Sequence, residues 1–370
     1  MWQHIGASRF IWNYMLASQE QNYQAGGEYL SAFSLMKLLA PLKKEEEYEW
    51  LKSVGNHTLT TVCRDLDKAY QLFFRKLKGH PKFKIRKRSK PSFPVRSTVY
   101  FTDGCVQIAK LGKVIYQTNH DIPQGRGHKF SDPRVSYLGG KWLLMVGMER
   151  ENQAPMLTEK SMGIDLGIKD LATVSFGGEQ LVFHNINKSR RVRQLERRMK
   201  HHQRNASRKR RINGVHSQSA RLAKEDAKAA SIYRKLTNIR RNYIHQTTHI
   251  LVSMLPRRIT MEDLNVTAMM KNHCLAKAIA EQCFAEFIRQ MRYKSAWNGI
   301  EFQQALRMYP SSKTCSCCGN IKRDLKLKDR TYVCDMCGLI IDRDFNAALN
   351  LERYDGNTKR AVGPGASLCP

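Results

Sequence analysis

The chain has 370 residues, of which 63 are Lys or Arg and 32 are Asp or Glu, giving a formal net charge of +31 at pH 7. That surplus of bases calls for a polyanionic partner, nucleic acid first, because spread cations bind by neutralising phosphates and releasing counterions. A membrane surface is the weaker alternative: no apolar run approaches the ~18 residues a span needs, and no basic amphipathic helix carries bulky apolar anchors.

The length suffices for two or three domains. The start, MWQHIGASRFIWNYML, lacks the charged region and cleavage site of a signal peptide. Together with metal-type cysteine spacing, this implies a reducing compartment, the cytoplasm. Cys63, Cys105, Cys274, Cys283 and Cys369 then read as free thiols, with Cys274 and Cys283 packed as small apolar residues.

Residues 1–80 read as a helical bundle. Ile11, Tyr14 and Met15, and later Leu59, Val62, Leu66, Ala69, Leu72 and Phe73, recur at three- and four-residue intervals, as one buried helix face requires. The polar stretch Lys43, Lys44, Glu45, Glu46 and Glu47 suits an exposed turn or helix start.

At Pro81 the texture changes to PKFKIRKRSKPSFPVRS, where three prolines exclude a helix interior. Lys82, Lys84, Arg86, Lys87, Arg88 and Lys90 alternate with Phe83 and Ile85, so an extended strand would carry bases on one face to grip a phosphate backbone. A solvated basic edge strand is the plainer alternative. Short β-type runs follow at Thr98 to Phe101, Val106 to Ile108, Val114 to Tyr116, Val135 to Leu138 and Trp142 to Met148, a pattern for hairpins and a small barrel. Gly139-Gly140 is the firmest hairpin signal.

SMGIDLGIKDLA, from Ser161, is an apolar strand carrying one acid, Asp165, and bent by glycines into a second strand. Alone, Asp165 reads equally well as a turn residue. From Lys188 to Arg241 the chain is dense in bases, among them Arg190, Arg191, Arg197, Arg198, Arg208, Lys209 and Arg210. Two long helices around Asn213-Gly214 fit best, the second from about Ser219 to Leu255, lining a nucleic-acid channel. RRITMEDLN, from Arg257, is a β-branched strand ending in acids at Glu262 and Asp263, and an amphipathic helix with Leu275, Ile279, Cys283, Phe287 and Met291 as its core stripe follows.

Cys315-x2-Cys318 and Cys334-x2-Cys337, fifteen residues apart, have the spacing of a four-thiolate zinc ribbon, with Gly319 and Gly338 placed for knuckle turns. Cys317 stands as an alternative ligand to Cys315 or Cys318. Directly after the second knuckle come Asp342 and Asp344 at the start of an alanine-rich helix, one a candidate N-cap and the other a candidate ligand. Asp165, Glu262 and an acid at 342 or 344 would supply oxygen donors for two Mg²⁺ or Mn²⁺ ions about 3.5–4 Å apart, the arrangement that hydrolyses phosphodiesters.

GIDLGIKDLATVSF, ITMEDLN and the YPSSKTCSCCG…YVCDMCG…DRDFNAALNL block closely resemble the three RuvC motifs and intervening zinc ribbon of TnpB, the transposon-encoded RNA-guided nuclease ancestral to type V CRISPR effectors. WLKSVGNHTLTTVCRDLDKAYQLFF is similar to that family's recognition helix, FKIRKRSKPSF to its basic strand and GKWLLMVGME to a late strand of its wedge barrel, so the resemblance spans most of the chain. It implies a multidomain α+β protein: a helical recognition bundle (1–80), a small wedge or OB-like β-barrel (81–157), and an RNase H-like (RuvC) nuclease domain in two parts (158–310 and 339–354) with an inserted zinc ribbon (311–338). A disordered tail (355–370) follows.

Carried over by position, the catalytic and magnesium-binding acids are Asp165, Glu262 and Asp344, and the ligands of one structural zinc are Cys315, Cys318, Cys334 and Cys337. The implied activity is RNA-guided cutting of double-stranded DNA beside a short adjacent motif, by a monomer that holds a guide RNA from the transposon end. The competing functions are a catalytically silent RNA-guided repressor and a transposase or recombinase with the same centre. One departure concerns the start: the family has a further wedge strand before the first recognition helix, which this sequence does not show. Asn56, His57, Thr60 and Thr61 also stand where the resemblance implies glutamine-rich sequence.

Overall fold

The computed structural model describes residues 1–86, 89–95, 99–119, 121–125, 128, 130–149, 155–213, 219–307, 309–326 and 329–355. Lys87, Arg88, Cys369 and the expected tail beyond 355 therefore lie outside the described residues. Contacts divide the chain into two compact units, Met1–Arg150 and Glu151–Pro370.

The first unit opens with helices α1 (Trp2–Gln24), α2 (Ala32–Lys37), α3 (Leu39–Leu42) and α4 (Asn56–Phe74), with a 3₁₀ segment at Glu46–Ser53 in the polar stretch. The predicted periodicity fills the bundle core, where Ile11, Met15, Leu59 and Leu66 are fully buried with Leu35, Leu42 and Leu51. Strands β1 (Ser92–Pro94), β2 (Tyr100–Thr102), β3 (Cys105–Ile108), β4 (Gly112–Ile115), β5 (Ser131–Leu138) and β6 (Lys141–Gly147) follow. Gly139 and Gly140 both have positive φ, which closes the β5–β6 hairpin at the Leu138–Lys141 pair. Among the described residues the strands form two antiparallel three-stranded sheets, β1-β5-β6 and β2-β3-β4. Phe93, Phe101, Val106 and Val135 from both sheets share one apolar cluster with Ile5 of α1.

The segment from Pro81 to Arg86 is not a paired strand. Side chains of α1 hold it instead: Trp12 Nε1 donates to the Lys82 carbonyl (3.0 Å), and Asn13 bonds both the carbonyl and the N–H of Lys84 (3.0 and 2.7 Å). The expected alternation does not form, since Lys82, Phe83, Ile85 and Arg86 are all exposed. Phe83 and Ile85 face solvent, about half exposed. Lys84 turns inward, its Nζ 3.6 Å from the centre of the Trp12 ring.

The second unit is built on a five-stranded sheet of β7 (Ser161–Leu166), β8 (Asp170–Phe176), β9 (Glu179–His184), β10 (Arg258–Glu262) and β11 (Glu301–Ala305), in the order β11-β10-β7-β8-β9. β7, β8 and β9 form an antiparallel meander, and β10 and β11 run parallel to β7. Period-two alternation divides the sheet's faces. Met162, Ile164, Ile259 and Met261 point into a core shared with the helices named next, among them Leu251, Phe287 and Met291.

Those helices are α5 (Arg190–Asn213), α6 (Ala220–Ser253), α7 (Val266–Met269), α8 (His273–Gln282) and α9 (Phe284–Trp297). The continuous helix expected through Leu275 and Met291 is broken at Cys283, which adopts a left-handed conformation (φ 54°) that caps α8 and opens α9. Leu275 and Cys274 consequently lie exposed on α8, outside the core expected for them, while Ile279, Phe287 and Met291 are buried. Strands β12 (Thr331–Val333) and β13 (Ile340–Asp342) pair within the cysteine-rich segment, and α10 (Arg343–Glu352) crosses β7, β8 and β10.

Candidate active site and metal centres

Asp165 and Glu262 occupy the last turns of two adjacent parallel strands. Ile164 is in register with Met261, so the next residue on each strand brings Asp165 level with Glu262. Both belong to the alternate set, with Gly163 and Thr260, that faces away from the Met162–Met261 core and towards α10. Gly163 is what lets that helix approach: a Cβ there would run into the Ala348 carbonyl and the Glu352 backbone.

The third acid enters on α10. Asp342 is its N-cap, the carboxylate accepting from the backbone N–H groups of Asp344 and Phe345 at 3.0 Å each. That leaves Asp344, in the first helical turn, to face the sheet acids, and Arg343 pairs with it at 2.9 Å. Arg330 adds a longer ion pair to Asp344, 3.7 Å.

Burial pushes the Asp165 carboxyl well above the usual carboxylate range, the charges of Glu262 and Asp344 push it further, and only Arg343 opposes them. Glu262 is raised by burial too, and by Asp344, against the pull of a hydrogen bond from the Ser311 hydroxyl and the Arg343 charge. Negative charge thus gathers in a poorly solvated notch, where Arg343 and, at longer range, Arg330 offset part of it. Carboxylate oxygens are the donor type a hard divalent cation takes, although among the described residues only the four cysteines bring their ligand atoms together closely enough to hold an ion.

Four sulfurs form the tighter cluster. Those of Cys315, Cys318, Cys334 and Cys337 all lie within 4.8 Å of one another, with 3.6 Å between Cys315 and Cys337 and 3.5 Å between Cys318 and Cys334. Tetrahedral thiolate sites with metal–sulfur bonds of about 2.3 Å separate their sulfurs by about 3.8 Å, so the four fit a zinc ion. Gly319 and Gly338 carry the positive φ that the knuckle turns require, 77° and 73°. The ambiguity over Cys317 resolves: its N–H donates to the Cys315 sulfur at 3.4 Å, and its own sulfur is disulfide-bonded and outside the cluster. Burial would raise Cys334, but N–H groups of Cys337 and Met336 bring it down to about 7, whereas burial pushes Cys315 up to about 12. Tyr332, fully buried, fills the space beneath the knuckles.

The basic residues divide by what they touch. Arg190, Arg191, Arg197, Arg198 and Arg208 are exposed along α5. Lys209 instead pairs with Glu225 at 3.3 Å, and Arg210 holds both oxygens of Asp226 at 2.6 Å, so these two brace α5 against α6 rather than facing a ligand freely. Lys82 and Arg86 are exposed, while Lys84 is half-buried, and desolvation lowers its ammonium to about 8. Two residues at the acid site escaped sequence reasoning, Ser311 and Arg343. The only signal for either was position, Ser311 just before the first knuckle and Arg343 between two acids.

Three family models match in chain order: a "Helix-turn-helix domain" of the IS605 OrfB type at 1–28, the IS605 OrfB "Probable transposase" at 144–273, and the "Cas12f1-like, TNB domain" at 284–351. A Streptomyces pristinaespiralis protein named "Putative RNA-guided DNA endonuclease" is 29% identical over 99% of this chain and 86% of its own length. The Escherichia coli K12 protein "Putative RNA-guided DNA endonuclease InsQ" is 29% identical over 95% of this chain and 87% of its own. In fold, the chain is similar to Cas12f1 as solved in a complex with sgRNA and target DNA, with a TM-score of 0.62 at 13% identity, covering 97% of this chain and 82% of that one. On these matches the chain belongs to the TnpB/IS605 OrfB family.

Proposed function

We propose that the protein is an RNA-guided endonuclease of double-stranded DNA, with Asp165, Glu262 and Asp344 as its metal-binding catalytic acids. The observation that carries this reading is the convergence of these acids, at the ends of two central strands and the start of one helix, beside a four-cysteine cluster. The sheet order β11-β10-β7-β8-β9, with an antiparallel meander and two further parallel strands, supports an RNase H-like nuclease domain. The first unit would comprise the recognition bundle and the wedge strands, and residues 311–338 the ribbon. The relatives' names supply the substrate class, and the net charge of +31 suits guide RNA and target DNA together.

Mg²⁺ held by the three acids would activate water and stabilise the leaving 3′-oxygen. The chain's own contribution is placement. The register of β7 and β10 sets two carboxylates side by side, Asp342 takes the helix cap so that Asp344 need not, and Ser311 fixes one oxygen of Glu262. Arg343 balances the acids' charge. The exposed arginines of α5 would track the phosphate backbone, leaving sequence to be read by guide pairing. Retention of all three acids favours cutting over silent binding. Asp165→Ala and Glu262→Ala should each abolish cleavage of a guide-matched plasmid, a loss of roughly a thousandfold or more, while RNA binding survives. Unchanged cleavage in either variant would contradict the assignment.

A further inference from the structure

One short segment, Ser311 to Ser316, joins the sulfur cluster to Glu262 and to the helix that carries Asp344. It contains Cys315, a member of the sulfur cluster. At its start the Ser311 hydroxyl donates to Glu262 Oε1. Its carbonyls are held by α10: Asn350 Nδ2 donates to Ser311 O (2.8 Å) and Thr314 O (2.7 Å), and Asn346 Nδ2 also donates to Thr314 O (2.7 Å). Asn346 Oδ1 accepts from the Ser316 N–H at 2.9 Å, and Arg353 Nη1 donates to the Ser316 carbonyl. Ser311, Asn346 and Asn350 are at most 2% exposed, so these bonds exchange little with water and breaking one leaves a buried polar group unmatched.

Asn346, Asn350 and Arg353 recur at i, i+4 and i+7, one stripe of the helix whose first turn carries Asp344. The same six residues are thus bonded to a zinc ligand's turn, to the second acid and to the helix of the third. A hydroxyl on Glu262 Oε1 fixes the plane of the carboxylate and leaves Oε2 as the oxygen available to a cation.

We propose that Ser311 is a positioning residue for Glu262, and that through the Ser311–Ser316 segment zinc at the four cysteines raises the affinity of the acid site for divalent metal. The inference rests on the reading of Asp165, Glu262 and Asp344 as metal-binding acids. By linkage the effect is reciprocal: a divalent cation at the acid site raises the affinity of the four cysteines for zinc by the same factor.

The test is Mn²⁺ binding to the full-length zinc-loaded chain, read as free Mn²⁺ by electron paramagnetic resonance, with zinc content measured in parallel. Ser311→Ala and Ser311→Val should weaken Mn²⁺ binding about tenfold with one zinc per chain retained. Ser311→Thr, matched in volume to Val but keeping the hydroxyl, should stay close to wild type. Chelating the zinc should weaken Mn²⁺ binding in the wild type and have a smaller effect in Ser311→Ala. Equal Mn²⁺ affinity in the Thr and Val variants would overturn the proposal. Asp165→Ala separates the two readings: if it binds Mn²⁺ as wild type does, the acid-site assignment fails first; if it loses Mn²⁺ while Ser311→Val does not, only the Ser311 linkage fails.

Discussion

Gly163 of the first central strand lies directly under Ala348 of the last helix, with no room between them for a side chain. A Cβ would strike the Ala348 carbonyl and the Glu352 backbone, and backbone cannot yield as a side-chain tip can. Gly163→Ala should therefore lift the helix that carries Asp344, costing about 2 kcal/mol or more of stability and most of the cleavage activity. Thermal melts and plasmid cutting check both, and a variant that melts and cuts like wild type would show that the helix does not need this approach.

The far end of that helix is pinned as well. The Glu352 carboxylate accepts from the Ser175 hydroxyl and from the N–H groups of Gly177 (2.7 Å) and Gly178 (3.3 Å) at the turn between the second and third strands of the sheet. Glu352→Ala leaves these donors without their charged acceptor, at a cost of about 1–3 kcal/mol. The melting temperature should fall accordingly, and an unchanged value would mean that water replaces the carboxylate without loss.

Crowding of the acids has a pH signature. Asp165 and Glu262 are raised above the ordinary carboxylate range, so the folded metal-free chain holds more protons than the unfolded chain does. Stability from these groups is therefore greatest at or below the unfolded values, about pH 4, and declines as pH rises through the raised folded values. Excess Mg²⁺ should oppose that decline, giving a larger gain in melting temperature near neutrality than at about pH 5. A gain that is flat with pH would argue against Mg²⁺ binding to the ionised acids.

Lys84 carries the opposite sign. Its ammonium is lowered to about 8 by burial, with Asp65 pulling it up and Arg134 down. The folded chain thus releases this proton more readily than the unfolded chain, and stability rises as pH climbs from about 8 towards the usual lysine range. Lys84→Met, which keeps the stem on Trp12, should raise the melting temperature at neutral pH and flatten that rise. A lower melting temperature would mean that the contact with the Trp12 ring outweighs desolvation.

Much of the candidate site was legible because its signals are local. Two CxxC pairs with trailing glycines fix a knuckle geometry within a few residues, and the four sulfurs converge as that spacing requires. Apolar strands ending in an acid at Asp165 and Glu262 are likewise local patterns, and both strands form where they were read. What was not legible depends on partners distant in sequence. Periodicity treats Leu275 to Met291 as one helix, and nothing in the neighbouring residues announces the left-handed turn at Cys283. Alternation placed Lys84 outward, but Trp12 and Asn13, some seventy residues earlier, hold the segment so that Lys84 turns inward. The residues alone did not separate Asp342 from Asp344; the family resemblance selected Asp344, and the helix start makes Asp342 the N-cap. Ser311 gained its meaning only from Glu262, 49 residues away.

The most direct test of the central claim is to exchange the guide segment in the purified ribonucleoprotein and follow the cut. The account expects cleavage in Mg²⁺ of plasmids matched to each guide in turn, lost with a mismatched guide and lost again in Glu262→Ala despite retained RNA. Cutting that ignores the guide, or that persists in Glu262→Ala, would contradict it.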